Sequence, residues 1–455
     1  MSTTWVRSAQ RSHRSISLVK RGVDTSVVSR KRAAGTRPPP AGPEQRVAAG
    51  GPMKRTSRAR ARLAAAGAAL ALTATACGGS GGAGGGTETL NMGALFAMTG
   101  EGSFYGDVMS KGSQLAVDQV NSGGGAHGYT FELQVEDHRS GQVDAAVSAA
   151  RKLLNVDGAT VLLSSFTAPT VAVQPLAVDQ GVLLLNGGGV GSDLVGKENL
   201  YNNRMLGAQL LPAMVSWSAE RHNAQRVATI FWNDAAGRSD NEAVKQGCQQ
   251  AGCQVVAEEP HAIGTTDYSA QLARIRSANP DMLVIGSYGN DVGYIIQQAR
   301  RVGLTVPIIG NEWTPDAAKI AGQAMEGYTA IIDRFDPATS DPEGKAFAQE
   351  YERRYGEEPE FYAANYYDLT RFVLPALIKM AGDAGEDPTE PGVLAAEMAT
   401  AVEQGHEFDT VYGESMTFNQ DGTVVKPAAV FEADGQGQIT PIATFEDGRI
   451  VMPGG

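Results

Sequence analysis
Residues able to do chemistry are few in this chain, and most stand just after short apolar runs. Ser164-Ser-Phe-Thr167 follows the apolar run 159–163 and precedes a helix-like stretch. Hydroxyls and free backbone N–H groups at such a junction suit a carboxylate, because a helix start carries partial positive charge. Ser165 or Thr167 would serve equally well as a plain helix cap. Gly187-Gly-Gly-Val-Gly191-Ser192 also follows a strand-like run and invites a dinucleotide reading. It lacks the third glycine of that fingerprint. The one Gly-x-Ser-x-Gly match, Gly78 to Gly82, has neither the strand nor the helix a nucleophile elbow needs. There is no Walker loop and no His-Glu-x-x-His. His127 and His138 are near each other but have no partner at metal-ligand spacing, so the histidines read as surface residues. No metal, cofactor or catalytic residue is expected, and the chain reads as a non-enzyme. Cys248 and Cys253 flank a helix end and the next strand. In an oxidising compartment they could close a small disulfide if the turn is tight; the alternative is two free thiols.

Charge divides the chain. The formal net charge is −12, yet residues 1–76 hold 15 Lys/Arg against only Asp24 and Glu44. The remaining 23 basic and 48 acidic residues give the body a strongly negative balance, which excludes a phosphate-backbone binder of nucleic acid. A basic run from Lys54 to Arg62, an apolar run from Leu63 to Leu72 and small residues before Cys77 describe a secretory signal at 53–76. Its apolar part is about half the roughly 20 residues needed to cross a bilayer. Leu72-Thr-Ala-Thr-Ala76-Cys77 resembles a lipobox, with Ala74 where that motif usually has Leu. On that likeness Cys77 is the lipidation site, and residues 77–87 form a glycine-rich tether. Residues 1–52 read as a disordered extension or as upstream sequence before a true start at Met53.

From residue 88 onward, short β-rich runs alternate with helical patterns. Strands are expected at 90–96, 130–135, 159–163, 182–185, 226–231, 254–257, 282–286 and 306–309, with helices at 105–121, 143–155, 270–278 and 293–301. This alternation predicts an α/β fold of parallel sheets covered by helices, too many strands for one sheet and so divided into two lobes. Residues 345–355 and 362–382 read as helices, and a hairpin turning at Asn419-Gln-Asp-Gly422 closes the chain.

Phe96-Ala-Met-Thr-Gly100, then Phe104-Tyr-Gly-Asp107, resembles the opening of the branched-chain amino-acid (leucine/isoleucine/valine) binding proteins of ABC importers. Gln298 to Leu304, Ile309-Gly-Asn-Glu312 and Phe418 to Gly422 follow in that family's order. The resemblance implies the type I periplasmic binding protein fold: two Rossmann-like lobes, three crossover hinge segments and a ligand cleft between the lobes. It assigns 88–206 and 336–408 to the N-terminal lobe, and 207–335 and 409–455 to the C-terminal lobe. It places Thr167 at a carboxylate-binding position, with Ser165 beside it, and Gly188 and Gly189 in a loop whose backbone faces ligand. Tyr105 would line the side-chain pocket, Tyr288 would contact ligand, and Glu312 would take an ammonium group. Trp313 would add either apolar wall or plain packing.

Two departures stand out. Val190-Gly191 replaces a threonine beside the ligand loop, and Gly237-Arg238 stands where a Tyr-Gly often opens a helix. These leave the solute open among leucine-like amino acids, amides, aromatic acids and other small carboxylates, and Arg238 could pair an extra anionic group. The expected protein is a monomeric, lipid-anchored extracytoplasmic solute binder that delivers to ABC permease subunits. The alternative is a ligand-sensing receptor feeding a signalling partner.

Overall fold
The computed structural model describes residues 87–339 and 341–452. The expected leader, Cys77 and the glycine-rich stretch to Gly86 lie outside the described residues. No described helix is long and apolar enough to cross a membrane.

The first lobe is built from strand–helix units in chain order: β1 (Glu88–Phe96), α1 (Ser103–Ser122), β2 (Tyr129–Asp137), α2 (Val143–Asn155), β3 (Val161–Ser164), α3 (Thr167–Asp179), β4 (Leu183–Asn186) and β5 (Leu200–Asn202). The strands form a parallel sheet in the order β2-β1-β3-β4-β5. β1 is buried on both faces from Met92 to Phe96, as a parallel strand covered by helices must be. In α2, Ala146, Ala149, Ala150, Leu153 and Leu154 form the buried stripe that its sequence period demands. The structure matches the expected helix 143–155.

The second lobe contains α4 (Gly207–His222), β6 (Arg226–Trp232), α5 (Ala235–Ala251), β7 (Gln254–His261), α6 (Ser269–Ser277), β8 (Met282–Gly286), α7 (Asn290–Arg301), β9 (Ile308–Gly310), α8 (Pro315–Ala321) and β10 (Thr329–Asp333). Its sheet runs β15-β14-β13-β10-β9-β8-β6-β7. The strands from β7 to β10 are parallel, and β13 (Ala428–Ala433), β14 (Ile439–Glu446) and β15 (Arg449–Val451) add antiparallel.

Between β10 and β13 the chain returns to the first lobe as α9 (Pro342–Tyr355), α10 (Phe361–Asp368), α11 (Leu374–Ala384) and α12 (Val393–Glu403). α1 packs closely on α10: a Cβ on Gly112 would stand 2.2 Å from the Ala363 carbonyl oxygen. The helix expected at 362–382 is interrupted by a π-helical turn at Leu369–Val373. Pro375 supplies no N–H and crowds the carbonyl four residues back, and a wider turn accommodates it. The hairpin of β11 (Thr417–Phe418) and β12 (Val424–Val425) turns at Asn419–Gly422, as expected. It lies against β5 through Asn202 N–H donating to Gly422 O at 2.8 Å, on the first lobe. The third passage between lobes therefore follows Val425, later than the expected break at 409. Asp333 ties the three passages, accepting from Met205 N (3.2 Å), Lys426 Nζ (3.0 Å) and, on α10, Asn365 Nδ2 (3.1 Å).

Of the two alternatives for Cys248 and Cys253, the structure shows the free thiols. Cys248 and Cys253 are buried free thiols, with the Cys253 N–H donating to Cys248 O at 3.0 Å around Gly252 (φ 76°). Burial and its cysteine neighbour raise the Cys248 pKa, which disfavours the thiolate that disulfide exchange requires. Two histidines expected at the surface are also buried, His138 and His261.

Candidate functional site
Strand order reverses between β1 and β3 in the first sheet and between β6 and β8 in the second. Ligand crevices of open α/β sheets form beyond the carboxyl ends of strands at such points. The residues following these strands line one small cavity that opens to solvent.

Tyr105, Met109, Phe166, Thr167, Gly188, Gly189, Val190 and Tyr362 form the first-lobe wall. Tyr105 reaches it because α1 begins hard against β1: a Cβ on Gly106 would lie 2.2 Å from the Ala97 carbonyl oxygen. Phe166 takes the strained pair φ 62°, ψ 143° just before α3, a conformation that persists only where the surroundings hold it. Thr167 Oγ1 accepts from the N–H groups of Val190 (3.3 Å) and Gly191 (3.0 Å). A hydroxyl has one proton and two lone pairs, and among the described contacts the Thr167 proton has no acceptor, beside the first-turn N–H groups of α3.

The glycine loop shapes the wall without offering free amides. The N–H groups of Gly188 (3.3 Å) and Gly189 (2.7 Å) both donate to Asn186 Oδ1, and Gly187 N–H donates to the Tyr366 hydroxyl at 3.2 Å. Proximity favours glycine at position 189, where a Cβ would meet the Phe166 carbonyl carbon at 2.9 Å, whereas one on Gly188 would meet only the flexible end of Met109. Ser165 does not reach the cavity wall. Its fully buried hydroxyl donates to Leu95 O (3.2 Å) and accepts from His138 Nε2 at 2.9 Å, whose Nδ1 accepts from Gly141 N–H. Desolvation lowers the His138 pKa to about 4, keeping it neutral.

Trp232, Asp234, Ala236 and Tyr288 form the opposite wall. Asp234 caps α5, accepting from Gly237 N–H at 2.9 Å, and burial raises its pKa. Gly237 is not itself on the wall: a Cβ there would lie 2.1 Å from Trp232 O, and the small lining residue is Ala236. Arg238 points to solvent and donates to Asn233 Oδ1, so it does not serve the cavity. The Tyr288 hydroxyl donates to buried Asp240, whose pKa burial raises to about 7. Trp313 lines a separate recess with Phe335, Phe361 and Tyr412.

Glu312 lies behind the wall and is fully buried. Its Oε1 accepts from the Tyr105 hydroxyl at 2.9 Å. Its Oε2 accepts from the Tyr362 hydroxyl at 2.8 Å and from Arg204 Nη2 at 3.1 Å. Burial pushes the carboxyl up, opposed by the guanidinium and the two hydroxyls. Arg204 lies on the first passage between lobes, with its guanidinium 4.6 Å from the Tyr362 ring centroid. Arg204, Asp234, Trp232 and Tyr362 escaped the sequence reading. In the same loop the sequence points to Gly237-Arg238, not to Asp234.

Residues 89–438 match the family model described as periplasmic binding protein. The chain is 24% identical over 365 residues to a Leu/Ile/Val-binding protein homolog of Brucella melitensis, covering 80% of this chain and 93% of that one. It is also 24% identical to a leucine-, isoleucine-, valine-, threonine- and alanine-binding protein of Pseudomonas aeruginosa, over 69% of this chain and 84% of that one. Among solved structures, the isoleucine-bound branched-chain amino-acid transporter substrate-binding protein of Streptococcus pneumoniae superposes with TM-score 0.68 at 23% identity, over 80% of this chain and 100% of that one. A benzoate-bound solute-binding protein from R. palustris gives TM-score 0.68 at 19% identity, over 80% and 97%. With its two α/β lobes, three passages and cavity at both strand-order reversals, the chain belongs to the periplasmic binding protein family of transporter substrate-binding proteins, and is not an enzyme.

Proposed function
We propose that this protein is an extracytoplasmic lipoprotein of an ABC importer that captures a small amino acid or a related carboxylate or amide by lobe closure. It then delivers the solute to the membrane permease as a monomer. The observation that carries this reading is Thr167, whose unallocated hydroxyl proton and adjoining α3 start meet an otherwise largely apolar cavity. A solute carboxylate there, with its body against Tyr105, Phe166, Trp232 and Tyr288, would touch both lobes and so favour their closed arrangement. The ligands named for the compared proteins, branched-chain amino acids, alanine, threonine and benzoate, share a carboxylate on a compact body that is apolar in all but threonine. A dissociation constant near 1 μM corresponds to about −8 kcal/mol, within reach of a few hydrogen bonds and apolar contacts. A diacylglyceryl group on Cys77 would retain the acidic body at the membrane. Calorimetric titration with amino acids, their amides and small aliphatic and aromatic acids tests the proposal. Saturable binding by one class is the expected result, and binding by none refutes it.

A further inference from the structure
Resting on the solute-binding reading above, we infer that Asp234, and not Glu312, accepts the ammonium group of an amino-acid solute in this chain. Glu312 has little left to offer a cation. Its charge is compensated by Arg204 at 3.1 Å, and two tyrosine hydroxyls occupy further lone pairs. The ion pair is almost completely buried, and the carboxylate does not line the cavity. An ammonium drawn to Glu312 would meet the Arg204 guanidinium beside it.

Asp234 stands in the opposite situation. It is the one acidic or basic side chain on the cavity wall among the described residues. One oxygen holds the Gly237 N–H at 2.9 Å, and a carboxylate has several acceptor sites to spare. Among the described residues no cation stands within salt-bridge distance of it, and Arg238, exposed on the next turn, acts on it only from farther away. Its neighbours on the wall, Trp232 and Tyr288, have ring centroids 5.2 Å apart and present aromatic surface that favours a cation. Thr167, the proposed carboxylate partner, belongs to the other lobe. A zwitterion would thus place its two charges on opposite lobes, bridging the cleft.

The test uses calorimetric titration of the full chain with the amino acid that binds best and with the same molecule lacking its amino group, such as L-leucine and 4-methylpentanoate. Wild type should prefer the amino acid by about tenfold or more, the worth of one charge-assisted contact. Asn keeps the α5 cap, so Asp234→Asn should fold, lose about tenfold for the amino acid, and bind the des-amino acid within about twofold of wild type. Retention of the full preference in Asp234→Asn overturns the inference. So does a wild-type protein that binds des-amino acids or amides more tightly than amino acids, which leaves the solute-binding reading standing. If no tested solute binds, the solute-binding reading falls and the inference falls with it.

Discussion
Replacing Glu312 by Gln removes one charge from a buried pair while keeping the shape of the side chain. At the observed 3.1 Å separation, the attraction is about 5 kcal/mol at an effective dielectric of 20. Removing one member of a buried pair costs roughly 3–5 kcal/mol, because the other charge is left uncompensated. The amide oxygen can keep the Tyr362 and Arg204 contacts, but the amide nitrogen in place of Oε1 cannot accept from the Tyr105 hydroxyl, so a hydrogen-bond change adds to the charge loss. Glu312→Gln should therefore unfold in urea with about 3–5 kcal/mol less stability at pH 7. The companion variant Arg204→Met and the double variant close a cycle. The double variant should recover about 2 kcal/mol or more of the summed losses, since contacting charged residues couple at that scale. A Glu312→Gln loss below about 1 kcal/mol, or additive losses in the cycle, would refute the view that Glu312 exists chiefly to hold Arg204.

Three further expectations follow, two from local geometry and one from the sequence around Cys77. His138 has its pKa lowered to about 4 by burial, against 6.5 in the unfolded chain. The unfolded chain binds the proton first, so this residue's contribution is full above pH 6.5 and is lost on acidification toward 4. Relative to His138→Gln, wild type should lose about 3 kcal/mol between pH 7 and 4, and parallel urea midpoints across that range would contradict the assignment. Gly112→Ala forces a methyl to within 2.2 Å of Ala363 O, where α1 meets α10. Thermal unfolding should reveal a loss of about 1–3 kcal/mol, and an unchanged midpoint would show that the helices can part freely. In the native host, Cys77→Ser should release the protein from the membrane fraction, and mass spectrometry of the wild-type protein should find a diacylglyceryl group on Cys77. Unchanged fractionation of the variant would remove the lipid anchor from the proposed function.

Much of the fold was legible because it is written in local patterns. Residues 143–155 carry their helical stripe unaided, and β8 coincides with the expected strand at 282–286. The short strand β5 went unread: three residues, Leu200–Asn202, are too few for a period. The π-helical turn at Leu369–Val373 was hidden within one long helical pattern. At the site, Tyr105, Thr167, Gly188, Gly189 and Tyr288 all line the cavity, while the Gly188 and Gly189 amides are spent on Asn186. Ser165 does not, because its hydroxyl is spent on His138 and Leu95, and no pattern in the chain reveals which neighbour a buried hydroxyl will find.

Local patterns along the chain are enough for the alternation of strands and helices, the acidic body behind a basic N-terminal stretch, and the positions where strand ends could meet a small solute. Hydrophobic period, charge and turn chemistry are properties of neighbouring residues, and they survive without coordinates. What each polar group does depends on contacts made across the fold. Arg204 and Glu312 are 108 positions apart, and Tyr105 and Glu312 are 207 apart. Whether a carboxylate greets a ligand or neutralises an arginine depends on which distant residues the fold brings within about 3 Å, since charge compensation weakens with separation and screening.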